Sequence, residues 1–277
     1  MTNTRMRRSE LKHILSELRT ARLEKCSICG SKVKELQAKP DTVICTWRGC
    51  KAHNSIWKNT VFYKAKLSKI KILQIFELWM RKMSINDISF VLRLSSREIV
   101  WSILKKVSRY LIPNYEKAEC MIGGRDIIVE VDESKFGKRK YNRGHRVDGV
   151  WILGMVERTA ERKIKLFVVD DRSKSTLEEK LKNSIDKESI VFTDGWKGYT
   201  GLGAIFSMHG VVNHSLGFKD PSTGIHTNTI EGCWSGIKPS VALRGRTKDK
   251  INLYLIRFML LRNESLPPLQ ALLKYLF

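Results

Sequence analysis

The sequence predicts an α/β protein: a mixed sheet over residues 126–248, preceded by a small cysteine-bearing module and a helical region. Three observations predict it. Apolar runs of strand length end at Asp132, Val156, Val169 and Asp194, with one helical stretch before the last. Three neighbouring strands, a helix and another strand are the order of a mixed sheet. Four of the six cysteines gather before residue 51, ahead of any such run. Hydrophobic residues make up 42% of 277 positions, enough for a real core and too many for wholesale disorder.

In chain order, residues 5–24 carry Leu11, Ile14, Leu15 and Leu18 at helical spacing among charges. This is an amphipathic lead-in helix, either a packing helix or a DNA-contacting arm. Cys26 and Cys29 are separated by two residues, Cys45 and Cys50 by four, the spacing of a tetrahedral zinc ribbon. Gly30 suits the tight turn that lets backbone N–H groups face thiolates. Four thiolates close the coordination sphere, so the zinc is expected to be structural. His53 is an alternative ligand, and four unliganded thiols are the plain alternative. Helix and ribbon together span 1–66.

Residues 67–112 read as helices. Leu67 to Met83 is apolar at helical spacing. Ser84 caps a short helix to Leu92, and Ser95 or Ser96 caps another over Arg97–Tyr110. With Arg97, Lys105, Lys106 and Arg109 on the second, the pair resembles a DNA-binding helix-turn-helix, although the turn lacks glycine. A plain helical connector is the alternative. Pro113 closes this part, and 113–125 reads as a linker. Within 126–248 come the strands, a helix capped by Ser173 or Ser175 and a short fifth strand over 211–214. A loop with Pro221 and Gly224 then leads to a helix around Glu231, capped by Thr227 or Thr229. A last helix and an apolar tail occupy 249–277.

Lys and Arg total 51 against 28 acids, a formal charge of +23. That excess argues against a small-molecule enzyme and for nucleic acid, because phosphate neutralisation needs distributed cations. A ribosomal or membrane-surface protein is the alternative. No run reaches about 18 apolar residues, so no transmembrane span is expected. The basic N-terminus has no apolar core, so it does not read as a secretory signal. The cysteine spacing favours metal over disulfides and a reducing compartment.

Three acids carry the chemistry. Asp132 and Asp194 stand where apolar strands run out, and Glu231 sits near the start of a helix. Trp234 and Lys238 follow Glu231 at i+3 and i+7, on one helical face. Convergent carboxylates repel and raise one another's pKa, which divalent cations relieve. Oxygen-only ligands select Mg²⁺ or Mn²⁺. Two such ions about 4 Å apart drive in-line displacement at phosphorus. Taken singly, each acid is also a turn or cap residue. Glu130 shares a strand face with Asp132 and is a spare ligand; Asp126, Glu133, Asp170 and Asp171 compete. Lys238 is a phosphate or nucleophile contact, or a plain surface lysine. Trp234 is either core or a base-stacking platform, and His226 touches DNA or caps its loop. Lys138, Arg139, Lys140, Arg143, His145 and Arg146 form a phosphate-contacting hairpin.

The runs VEVDES, VFTDGWKGY and VNHSLGFKDPSTGIHTNTIEGCWSGIK, with the cysteine pattern ahead of them, resemble Merlin-type DNA transposases and their bacterial insertion-sequence relatives. The resemblance spans about residues 20–265. It implies a ribonuclease-H-like fold and cut-and-paste transposition, with Asp132, Asp194 and Glu231 as metal ligands and Lys238 as companion lysine. It also implies recognition of terminal inverted repeats in double-stranded DNA by the N-terminal region, and a homodimer or larger assembly on DNA. Such a protein is nuclear in a eukaryote and cytoplasmic, at the nucleoid, in a bacterium. A domesticated DNA-binding derivative and a stand-alone metal-dependent nuclease are the alternatives.

Overall fold

Two compact units divide the chain: residues 1–114 with 267–277, and residues 115–266. The structure is a computed structural model that describes residues 6–23, 25–26, 28–39, 41–118, 120–137, 149–212, 225–242 and 245–277. No described helix is long and apolar enough to cross a membrane.

The first unit opens with α1 (Arg8–Ala21), which buries Leu11 and Ile14. An antiparallel sheet follows, of β1 (Val33–Glu35), β2 (Thr42–Cys45) and β3 (His53–Ser55) in that order. Then come α2 (Lys69–Met80), α3 (Ile85–Val91) and α4 (Arg97–Ala118). Ser68 and Ser84 cap α2 and α3, each accepting a backbone N–H with its side chain. Between α3 and α4, Arg93 takes the left-handed conformation (φ 49°) where glycine is usual. The first part of α4 turns Val100, Leu104, Val107 and Leu111 inward. The helix does not stop at Pro113, as the linker reading expected, but runs on to Ala118. Proline removes one helical hydrogen bond, and the buried Leu111 and Tyr115 on either side hold the helix together. α8 (Pro268–Lys274) packs on α2.

The second unit is a five-stranded sheet between helices. Its strands are β4 (Ile128–Phe136), β5 (Val150–Glu157), β6 (Ile164–Val169), β7 (Ile190–Asp194) and β8 (Met208–Val212). Their spatial order is β6-β5-β4-β7-β8. β4 pairs antiparallel with β5 and β5 with β6, whereas β7 and β8 run parallel to β4. The parallel connection from β6 to β7 is α5 (Lys174–Ser184), capped by Ser173. Leu177 and Leu181 of α5 bury against Val129, Val131, Leu153, Met155 and Val191 on one face of the sheet. On the other face α6 (Asn228–Ser240) packs against β4 and β5, and α7 (Lys248–Asn263) against β6. β4 continues four residues past Asp132, so this acid sits within the strand, not at its end. β8 starts earlier than the fifth strand the sequence suggested; residues 213–214, like Pro221 and Gly224, lie outside the described residues.

Candidate active site

β4 and β7 are parallel neighbours in a register that pairs Glu130 with Phe192. Asp132 and Asp194 each lie two residues further along, so they stand abreast. Side chains alternate along a strand, so Glu130, Asp132 and Asp194 share one sheet face. That face is the one α6 covers, since the Trp234 indole N–H donates to Asp132 Oδ2 at 2.8 Å. Asp132 is paired with Gly154 of β5. A Cβ at position 154 would lie 2.6 Å from the Trp234 ring, so only glycine leaves room for the indole there.

Glu231 reaches the site from the first turn of α6. Thr227 holds the N-cap position without capping through its side chain, and its hydroxyl instead donates to Glu231 Oε1 at 3.3 Å. The cap comes from the sheet. Glu130, 0% exposed, accepts the Thr229 N–H at 2.7 Å and the Ile230 N–H at 3.0 Å on Oε2. Its Oε1 accepts the Thr229 hydroxyl at 2.8 Å and the Arg158 Nε–H. An anion at a helix N-terminus meets the positive end of the helix dipole and its unpaired N–H groups. At the other end Arg246 donates to the Lys238 carbonyl at 2.6 Å, and Arg257 to that of Ser240 at 3.0 Å. The helix bearing Glu231 is thus held by an acid at its start and two arginines at its finish.

One oxygen of each of the three acids has a protein donor. Asp132 Oδ2 has the Trp234 indole, Asp194 Oδ1 the Trp196 backbone N–H at 3.0 Å, and Glu231 Oε1 the Thr227 hydroxyl. Burial raises the pKa of Asp132, the Trp234 hydrogen bond lowers it, and Asp194 and Glu231 raise it further. Asp132 therefore lies within the field of the other two acids. Glu133, on the opposite face, is pushed up to about 7 by burial and then by Asp194 and Asp132. Tyr199 is driven above its ordinary range by burial and the same acids. The Tyr199 hydroxyl lies close enough to lower the Glu133 pKa, but the two do not meet hydrogen-bond geometry. Glu133 Oε1 and the Tyr199 hydroxyl are left buried without a hydrogen-bond partner.

An all-oxygen donor set, in which the charges of Asp194 and Glu231 raise the pKa of Asp132, suits a hard divalent cation. The acids are less tightly gathered than the cysteines. Among the described residues, Cys26, Cys29, Cys45 and Cys50 are the group whose ligand atoms all lie within 4.8 Å of one another. Cys29 and Cys45 sulfurs are 3.4 Å apart, those of Cys26 and Cys50 4.0 Å. A tetrahedron with Zn–S near 2.3 Å has edges of roughly 3.8 Å, so the four thiols fit a zinc ion. Gly30 takes the left-handed turn (φ 73°), and the Ile28 N–H points at Cys26 Sγ at 3.5 Å. His53 is exposed and stands outside the group.

Several sequence expectations change. Trp234 is 5% exposed, too buried to serve as a stacking platform, and its polar edge serves Asp132. Glu130 is no spare metal ligand, since the helix N-terminus and Arg158 occupy both oxygens. His226 joins that same cluster, its Nδ1 2.8 Å from Arg158 Nη2. Asp170 pairs with Lys248, and Asp171 accepts the Ser173 N–H. Lys238 is half-buried, its Nζ 5.9 Å from the Phe136 ring. On α4, Lys105 and Arg109 are exposed and Arg97 pairs with Glu98. Lys106 is turned inward and donates to the Tyr63 carbonyl. Lys138, Arg139, Lys140, Arg143, His145 and Arg146 lie outside the described residues. Sequence reasoning missed Arg158 and the capping role of Glu130. The only signal was an acid two positions before Asp132 on the same face.

Residues 121–255 match the family model of the ISXO2-like transposase domain. Asp132, Asp194 and Glu231 fall inside the matched stretch, and the four cysteines fall before it. The similarity supports a DNA transposase of the bacterial insertion-sequence type, a class that acts on DNA with divalent metals. No curated protein matches the chain.

Proposed function

We propose that the chain is a cut-and-paste DNA transposase of the acidic-triad type, related to the Merlin group, whose catalytic unit is ribonuclease-H-like. The observation that carries this reading is the placement of Asp132 and Asp194 abreast on one sheet face, with Glu231 brought to it by a capped helix. The strand order β6-β5-β4-β7-β8, with β5 alone running against the other four, supports the fold reading. The charge of +23 supports a DNA substrate.

Asp132, Asp194 and Glu231 would hold Mg²⁺ or Mn²⁺, two ions in all. When bound, the cations neutralise charge at the scissile phosphate and lower the pKa of an attacking water or 3′-hydroxyl. The chain's own part is orientation. Trp234, the Trp196 N–H and Thr227 each fix one carboxylate oxygen, so the acids face the phosphate without first reorganising. Lys238, two turns along α6 from Glu231, holds a non-bridging phosphate oxygen. The cysteine module would take a structural zinc and, with α3 and α4, bind the terminal inverted repeats. Two ends cut together call for a dimer or larger assembly on DNA.

The test uses a pre-cut element end, a target plasmid and Mg²⁺. Joined products are expected from the wild type and none from Asp194→Asn, with end binding retained. Hydrolysis without joining would instead make the protein a nuclease. Joining by Asp194→Asn at the wild-type rate would remove the triad from the chemistry.

A further inference from the structure

Beside the acids, on the α5 side of the same sheet edge, lies an array of rings and cations that the proposed chemistry does not use. Trp151 is the second residue of β5, opposite Lys135 of β4. Arg172 follows β6, and Trp196 comes two residues after Asp194. The Arg172 guanidinium carbon is 4.1 Å from the Trp151 ring centroid and 4.2 Å from that of Trp196. Lys135 Nζ lies 5.4 Å from the Trp151 ring. The Arg172 guanidinium thus contacts both indoles, and the Lys135 ammonium lies against the first of them.

Trp196 is fixed, not loose. Its indole N–H donates to the Arg172 carbonyl at 3.2 Å, and its backbone N–H to Asp194. A Cβ on Gly198 would come within 2.9 Å of its ring, so the bare glycine backbone admits the indole. Even so, Trp196 stays 39% exposed. A stack that only braced the edge would gain by covering its terminal ring, because exposed indole surface costs free energy in water. Arg172 also lies near enough to Glu133 to lower its pKa, which places the stack within the field of the acids.

We propose that Trp196, backed by Arg172 and Trp151, is a stacking platform for an unpaired nucleobase adjoining the scissile phosphate at the Asp132–Asp194 end of the sheet. This rests on the transposase reading and adds the form of the substrate: DNA with a splayed or single-stranded nucleotide at the reaction point. The geometry suits it. Trp196 is fixed by its hydrogen bonds and 39% exposed, so docking a base against it needs little ordering of the indole. The guanidinium behind it withdraws electron density and offers donors to a neighbouring phosphate. Lys135 and the exposed Lys197 supply further positive charge along the same edge. Stacking of this kind is tolerant of base identity, so the platform selects for unpaired structure and not for sequence.

The test measures fluorescence anisotropy of the full chain in Ca²⁺ on three labelled probes. These are a blunt duplex, the same duplex with a 3′ single-stranded tail, and that tail with abasic sites in place of bases. Trp196→Ala is expected to bind the tailed duplex about tenfold more weakly than wild type. It should match wild type on the blunt and abasic-tail probes. Trp196→Phe should recover most of the loss, and Arg172→Lys, which keeps the charge but not the plane, should show part of it. Thermal melts of all variants exclude unfolding as the cause. Equal binding of Trp196→Ala and wild type to the tailed duplex overturns the platform, as does an equal loss on bases and abasic sites. A wild type that binds none of the three probes overturns the transposase reading beneath it, a result distinct from either.

Discussion

Replacing Glu130 by glutamine tests whether the sheet positions the helix that carries Glu231. The carboxylate takes four donors: two backbone N–H groups, the Thr229 hydroxyl and Arg158. Glutamine can keep the two backbone donors on its carbonyl oxygen. Its amide then turns an N–H₂ towards Arg158, which loses its buried counter-ion. Removing one partner of a buried pair costs about 3–5 kcal/mol. Arg158 is 20% exposed and still donates to the His226 carbonyl, so the low end applies. For a unit of this size about 3 kcal/mol corresponds to a drop in Tm of roughly 6–12 °C. Strand joining should fall further than stability accounts for, because α6 carries Glu231 and a shift of about 1 Å can cost a hundredfold in rate. Glu130→Asp, which keeps the charge on a shorter stem, should recover part of both. The assays are calorimetry and joining of a pre-cut end at a temperature where both proteins are folded. A glutamine variant within about 2 °C of wild type in Tm, joining at the wild-type rate, would refute the argument.

Two further predictions concern the metal site and pH. Cys45→Ser should lose the zinc, expected at about one ion per chain by thiol-release titration; full retention would exclude a four-thiolate site. Glu133 has its pKa raised from 4.5 to about 7 in the folded protein. Its protonated form is thus favoured on folding, so its contribution to stability is complete below about pH 4.5 and is lost as pH rises through about 7. In Mg²⁺-free buffer Tm should fall between pH 5 and 8, and Glu133→Gln should flatten that fall. Parallel profiles for the two proteins would rule out Glu133 as the titrating group.

The elements were legible where local chemistry decides them. Ser84 and Ser173 cap helices through contacts three residues long, and such contacts are written in neighbouring letters. The alternation through Val129 and Val131 marked β4, but not how far it runs, because the charged Glu133 and Lys135 interrupt the apolar pattern. Pro113 read as a stop since its cost is local, whereas the burial that outweighs it is tertiary. The three acids were legible as carboxylates on two strands and a helix start, although Asp132 read as a strand end and lies inside β4. The cap on α6 was not, because its donor and acceptor are separated by 99 residues. Trp234 stayed open between core and stacking platform for a related reason: the glycine that admits it lies on β5, and a missing side chain leaves no periodic signal.

The lateral match between β4 and β7 has a consequence for how errors in this protein show themselves. If β7 shifted by a single position along its neighbour, every side chain on it would change sides. Asp194 would then point away from Asp132, towards Tyr199 and the apolar layer under α5. Insertions or deletions of one residue within 190–194 should therefore abolish turnover outright, while those in the turn at 159–163 should be absorbed. Under the proposed reading misalignment and inactivity become the same event, so joining of DNA ends would itself report a correctly threaded sheet.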